Sequence, residues 1–547
     1  MSVLKLSINI SVCISLILFS VQAIAQKDKN LSGSTVSTVD FKPKPADAVR
    51  IPVELQTENE EKKKPDIKYE QRSIAMSVQP NKAKLAAPAF KAPLDELNRN
   101  YFKGGFGNYG DIYWDYIYNT RRNRNSLFSA RLKHHNGIGS AKNSQFSNNE
   151  FTAYGKKLIG TIVLDGDAGF YRNVNKYFAL AELYPNTDTF RQRYNHVQGK
   201  LGINNNAAKD SVIHYQGNIG VHHFQDLYNS SETNFIANVG FFQLLKPGKL
   251  SIYLNEDYQG YRPVDTTNNR NVFRVNVALT GNYKALHYKV GFKTANQSTS
   301  NNTNFYIYPD LMAGVDLLKD KVTLYGLIDG NLESVYFRSL AGENPWILAP
   351  SRLENTNNTF QLKVGLKGVL GEKGYFNTYL SQSTLQNLYF YVNDSNDNRY
   401  FKVVYDTGNV TLLNYHLELG VKPSNKLDLS ATLDLNNYNM STLRQAYYRA
   451  PVLARVKAGY NVNNQFKILA DVYYSGKRYA TTLGEVDDIQ LNSFVDANLS
   501  INYQLQSVKG LNLYLEFRNV LASKYQLYQY YDARRFQVTG GVIFHFL

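Results

Sequence analysis

Nine histidines and one cysteine bound the side-chain chemistry available to this chain. Two histidine pairs draw attention first, His134-His135 and His222-His223. A transition metal needs several such nitrogens converging on one point. Both pairs fall where apolar and polar residues alternate, and neighbours on a strand face opposite ways, so neither pair chelates by itself. His214 and His416 lie in similar stretches, with His416 sharing its polar face with Asn414 and Glu418. Nucleophilic catalysis would want a serine or cysteine against a histidine. No serine pattern accompanies either histidine, so no catalytic, cofactor-binding or metal-ligating residue is assigned. One further segment has binding chemistry. Residues 331–357 read as a long loop holding Trp346 between Pro345 and Ile347, followed by Pro350 and Arg352. An aromatic and an arginine on a loop suit ligand binding; folded inward, the same loop would gate whatever lies beneath it. The sequence leaves the two readings open.

The elements that position these groups start after a leader. Residues 1–25 have the layout of a secretory signal peptide: Lys5 in the first part, an apolar run over Ile8–Val21, then Ala23-Ile24-Ala25 as a small-residue cleavage site. The run falls short of the roughly 20 residues a membrane-spanning helix requires. Cleavage would remove Cys13, and with it disulfide and thiolate chemistry. Residues 26–99 carry seven of the 15 prolines, only three aromatics (Phe41, Tyr69 and Phe90) and the run Glu58-Asn59-Glu60-Glu61-Lys62-Lys63-Lys64. Such a segment favours extended conformations and buries no core, so a mostly disordered tail is expected. Its Pro-rich stretches could dock a periplasmic protein through 27–98.

From residue 100 onward the period changes to two. In 411–421 Leu413, Tyr415, Leu417, Leu419 and Val421 share one face, opposite Asn414, His416, Glu418 and Gly420. Leu427, Leu429, Ala431, Leu433 and Leu435 do the same against Asp428, Ser430, Thr432 and Asp434, and comparable stretches fill 495–504 and 511–518. Each reads as a strand with one apolar and one wet side. No stretch after the leader could span a bilayer as a helix, whereas alternating strands rich in tyrosine, of which there are 42, suit a transmembrane barrel. Tight turns at 121–125, 157–160, 204–209, 246–248, 283–285, 318–320, 371–374, 423–426, 461–465 and 507–510 separate mostly longer, Asn-rich segments. Short turns at one end and long loops at the other are how outer-membrane barrels are connected. Ten short turns imply an all-β, antiparallel barrel of about 22 strands (20–24) over 100–547, apolar outside and polar inside, lying in outer-membrane lipid. The net charge of +16 fits lipid phosphates or a polar lumen. A secreted chain rarely meets nucleic acid, so none is expected as a partner.

The final strand alternates almost to the C-terminus: Phe536, Val538, Gly540, Val542, Phe544 and Phe546 on one side, with Leu547 one residue beyond. Outer-membrane barrels commonly end on such an aromatic strand, which the barrel-assembly machinery engages. Glu516-Phe517-Arg518-Asn519-Val520-Leu521-Ala522-Ser523-Lys524-Tyr525 and Arg534-Arg535-Phe536-Gln537-Val538-Thr539-Gly540 then resemble the C-terminal region of TonB-dependent receptors, and the 22 strands match that family's barrel. The resemblance covers roughly 101–547. Those receptors also carry a Ton box and a globular plug of well over a hundred residues, whereas here a 74-residue Pro-rich tail precedes the barrel; Val36-Ser37-Thr38-Val39-Asp40-Phe41-Lys42-Pro43 resembles the leaders of plugless receptor-like barrels. The resemblance implies transport or binding of a solute across the outer membrane, with no cofactor. The alternative is a structural subunit of an outer-membrane assembly or secretion complex that recruits partners through its tail. Outer-membrane proteases and phospholipases place acid, histidine and serine sets on barrels far smaller than this one, so an enzyme is not expected.

Overall fold

The computed structural model describes residues 100–120, 123, 125–180, 190–205, 213–264 and 267–546. The leader 1–25 and the tail 26–99 lie outside the described residues. Twenty-two strands form one closed antiparallel sheet, each paired with its neighbours in sequence. Closure is made by β1 (Asn100–Gly107), which pairs with β2 (Asp111–Asn119) on one side and with the last strand, β26 (Gln537–Phe546), on the other. Two further two-stranded ribbons lie within the loops, β20 (Arg478–Ala480) with β21 (Ile489–Leu491), and β24 (Gln526–Tyr528) with β25 (Tyr531–Asp532). A closed wall leaves no unpaired edge, which is what a β-structure surrounded by hydrocarbon requires.

Eight of the ten expected turns lie wholly among the described residues and join consecutive strands at one end of the wall, each two to six residues long; the other two, 121–125 and 204–209, fall partly outside the described residues. An example is Lys246-Pro247 between β8 (Ser231–Leu245) and β9 (Gly248–Arg262). The other end carries the long connections, notably 334–355, 440–451, 476–493 and 519–536. It also carries short ones, such as 108–110, 226–230 and 300–302, which the alternation of short and long did not anticipate.

The two faces divide as the period-two pattern requires. On β16 (Phe401–Ser424) Leu413 and Tyr415 are exposed while Asn414 and His416 are buried. His416 pairs inside with Asp434 of β17 (Leu427–Asn439) at 2.7 Å. Similar inward pairs recur around the wall: Arg131 with Asp115 at 2.7 Å, Lys289 with Asp310 at 2.5 Å, Arg455 with Asp471. Outward, Leu201 and Ile307 are 65% and 67% exposed, on a surface that water would not favour and lipid would. The 42 tyrosines and 36 glycines are partly explained by one another. Tyr375 of β15 (Gly374–Asn393) lies across Gly420, its direct partner on β16, where a Cβ would overlap the ring. Tyr514 of β23 (Leu511–Arg518) reaches over Gly541 of β26 to Gly105 of β1, so the closing seam is packed by one ring over two missing side chains.

Candidate functional site: the segment across the barrel mouth

At the end with the long loops the polar interior gives way to a hydrophobic cluster, and its centre is 334–355. This segment joins β13 (Val322–Glu333) to β14 (Thr356–Val369) and contains one helix, α1 (Phe337–Glu343). Phe337, Leu340 and Ala341 stand at i, i+3 and i+4, so they share one side of the helix, and all three are buried. The helix stops before Pro345: the residue preceding a proline is pushed out of helical geometry, and Asn344 is extended at φ −129° and ψ 103°. Tyr336, at the N-cap, makes no side-chain cap. The carboxylate of Glu232, on β8, accepts the Phe337 N–H instead, opposite the positive end of the helix. Arg338 pairs with that same carboxylate at 2.6 Å, which compensates its burial.

Both feet of the segment are held by one residue. Arg270, on β10 (Asn268–Tyr283), donates to the carbonyl of Val335 at 2.7 Å, to that of Leu353 at 2.8 Å, to Asn355 Oδ1 at 3.0 Å and to Gln259. Asn355 Oδ1 also accepts the Val335 N–H at 3.2 Å, closing the neck. Four residues further along β10, Arg274 donates to the Leu332 carbonyl and to Ser334, and Tyr336 donates to Asp257.

From these feet the segment crosses the mouth. Phe337 packs edge-on against Phe224 at 5.2 Å between ring centres and touches Tyr194 and Tyr261, all from strands on one side of the wall. On the other side Tyr528, in the loop next to the closing seam, donates to the Glu343 carbonyl at 2.8 Å, and Trp346 stacks on Tyr531 at 3.8 Å. The Trp346 indole N–H donates to the Lys176 carbonyl at 3.1 Å. Strands on opposite sides of a 22-stranded wall are thus joined through one segment. Glu343 is its hub: the carboxylate accepts from Tyr389 at 2.8 Å and Tyr391 at 3.1 Å and pairs with Arg449 at 3.2 Å. Burial opposes the charge of Arg449, but Glu343 and the surrounding phenols outweigh it and hold the guanidinium protonated.

Of the two readings left open for 331–357, the structure has the inward one for most of the segment. It also separates the two candidate residues. Trp346 is partly buried in the cluster, whereas the Arg352 side chain is 67% exposed and pairs with Glu354 at 2.8 Å. Of the last-strand residues, Val538, Val542, Phe544 and Phe546 lie on the outer face of β26, and Phe536 precedes it, 36% exposed. The histidine pairs divide between faces as expected. His135 turns in to Asp111 at 2.7 Å while His134 bonds Asn149, and His222 turns in to His196 at 3.2 Å while His223 bonds Thr233. His214 stacks on Phe242. Among the described residues no group of three or more potential ligands converges on a metal position. Sequence reading missed Arg270 and Glu232, which look in the sequence like any inward polar residue near a strand end, and Glu343, at the end of the helix within 331–357; Arg270 meets Val335 65 residues away, Glu232 meets Arg338 106 away and Glu343 meets Tyr389 46 away, which leaves no local signal.

No protein-family model and no curated protein matches this chain. Among solved structures it is similar to the FrpB iron transporter from Neisseria meningitidis, with 11% identity over 82% of each chain and a TM-score of 0.67. The ferric-catecholate import receptor Fiu from E. coli gives 9%, 82% of each chain and 0.64. The siderophore receptor PiuA from Acinetobacter baumannii gives 11%, 81% of each chain and 0.60. The fold is that of a TonB-dependent-receptor barrel. The mouth of this barrel is held by its own contacts, with Arg270 clamping the neck and Glu343 tying the far side.

Proposed function

We propose that this chain is an outer-membrane barrel that binds a solute at its loop end and admits it to the lumen, with 334–355 as the gate. The reading rests on one observation: the segment bridges opposite sides of the wall, and its two feet are drawn together at a neck where Arg270 donates to the carbonyls of both Val335 and Leu353. Beneath it the wall is lined by charge pairs, a surface suited to a polar solute rather than to a packed core. Secretion through 1–25, engagement of the assembly machinery by Phe536, Val538, Val542, Phe544 and Phe546, and binding at Trp346 and Arg352 belong to the same proposal. Because the barrel is shared with proteins named for iron and ferric-catecholate import, ferric iron and ferric catecholates are the first solutes to try. The test is single-channel conductance in planar bilayers of the full chain and of a variant in which 336–352 is replaced by a short Gly-Ser linker. The expected result is a barrel that stays closed with the segment and passes ions at least tenfold better without it. Equal conductance would remove the gate.

A further inference from the structure

The outer face of the wall carries a group of cations that the lumen and the mouth do not use. On β5 (Ile162–Lys176) and β6 (Arg191–Asn205) inward and outward residues alternate. Gln192 and Tyr194 are buried beneath the mouth segment and His196 meets His222, so Arg191 and Arg193 face outward between them. Arg172 of β5 sits opposite Asn195, and Val174 opposite Arg193. That register puts Arg172 diagonally beside Arg193, about 7–8 Å away, while Arg191 and Arg193 are two residues apart on one strand, about 7 Å. Arg172 and Arg191 are exposed.

Nearly every arginine facing the lumen or the mouth has a partner: Arg131, Arg270, Arg274, Arg338, Arg399 and Arg455 are each bonded. None of the three outward guanidinium groups has a hydrogen-bond or ion-pair partner among the described residues. Nε of Arg193 is moreover shielded from solvent and unsatisfied. Three like charges this close repel one another, and nothing described in the protein compensates them. Directly beneath them on the same outer face run Phe170, Val197 and Leu201, the last two 50% and 65% exposed. At the same end of β11 (Leu286–Thr299) and β12 (Thr303–Leu318) the outward positions are Asn296, Ser298 and Thr303, all uncharged. Lys176 stands opposite Arg191 on the same face, and the cluster lies where an apolar, lipid-facing column meets the loop end.

We infer that Arg172, Arg191 and Arg193 form a binding site for the phosphate groups of an outer-leaflet lipid. A guanidinium presents a planar fork that matches phosphate oxygens two at a time, and three on one face suit a headgroup with more than one phosphate. The column below would take that lipid's acyl chains, so both halves of an amphipathic ligand are met in register. This inference rests on the outer-membrane reading above.

The test uses full-length protein reconstituted in phosphatidylcholine vesicles, titrated with a bis-phosphorylated glucosamine lipid (lipid A) and with its dephosphorylated form. Wild type is expected to bind the phosphorylated lipid and not the other. R172Q/R191Q/R193Q should bind it at least tenfold more weakly, while K319Q/K321Q/K373Q, an equal charge loss at the turn end, binds as wild type. Folding of each variant is read from its faster gel migration before heating. Equal binding by the arginine variant overturns the site, as does displacement of the lipid by millimolar orthophosphate, which would make it a site for free anions. Wild type that inserts into vesicles without preferring phosphate defeats this inference alone. Failure to insert at all defeats the outer-membrane reading with it.

Discussion

The wall and the mouth of this barrel are held together by different rules. The wall repeats: each strand pairs with its sequence neighbour, each inward residue meets another inward residue one strand away, and close packing depends on what is missing as much as on what is present. The mouth does not repeat. Its contacts join residues more than a hundred positions apart, such as Tyr528 with Glu343 and Trp346 with Lys176, and no period predicts them. The difference teaches that the wall is intolerant of small local changes, whereas the mouth segment is an inserted body that the wall positions and does not need.

One small side chain against seventeen residues makes the sharpest test of that contrast. Gly541 lies against the Gly104 carbonyl at the closing seam, where a Cβ cannot be accommodated without moving β1 from β26. Gly541→Val is expected to abolish the heat-modifiable folded barrel, because displacing a ladder strand leaves buried backbone groups unpaired. The 336–352 replacement, by contrast, should leave heat modifiability unchanged. A folded Gly541→Val barrel, or an unfolded deletion, would dissolve the distinction.

Next in size is Arg270→Met. Arg270 is 5% exposed and its donors satisfy two carbonyls and two side-chain oxygens at the neck. Hydrogen bonds from a charged donor contribute about 1.5–3 kcal/mol each, and several acceptors are stranded together. The segment should loosen while the wall stays intact. Limited proteolysis within 334–355, slow in wild type, should become at least tenfold faster, with unchanged heat modifiability. Unchanged cleavage would mean that the hydrophobic cluster alone seats the segment.

Glu343→Gln should have a smaller effect of the same kind. The amide still accepts from Tyr389 and Tyr391 but leaves Arg449 without its counter-charge in a buried setting. Proteolysis several-fold faster than wild type is expected, less than for Arg270→Met. A second change, Arg449→Met, should restore part of the loss, since removing both charges is less costly than stranding one. A double variant worse than Glu343→Gln would show that the arginine stabilises by packing on Tyr389 rather than by charge.

What could be read in advance follows the same division. Strand count, the turns that lie among the described residues and the inward and outward faces were legible because closure forces period two on every strand, and a pattern such as Leu413 to Val421 survives without knowledge of any partner. Strand lengths were less legible. β15 and β16 run to 20 and 24 residues because their upper parts, past Leu388 and Asp406, leave the wall and pair with each other, with further bridges from Phe401 to Ile347 and from Asn393 to Thr482. Segment 334–355 was legible as a loop with an aromatic. Its inward course was not, because the residues that dictate it, Arg270, Glu232 and Tyr528, sit far away in sequence and carry no local mark.

Arg352→Gln should do least, and it separates geometry from composition. In the sequence Trp346 and Arg352 stand together as the binding chemistry of one loop. In the structure Trp346 stacks on Tyr531 inside the cluster, while Arg352 reaches toward solvent and, among the described residues, pairs with Glu354, itself partly exposed. A pair of that kind contributes about 0–1 kcal/mol because water screens it and two long side chains lose freedom in making it. Proteolysis of the segment and conductance should therefore both match wild type, while Trp346→Ala, which removes a stacked ring and the bond to Lys176, raises both. If Arg352→Gln instead weakens solute binding with the segment still seated, Arg352 acts on the ligand and not on the gate. The loop would then divide into a half that closes the mouth and a half that faces what arrives.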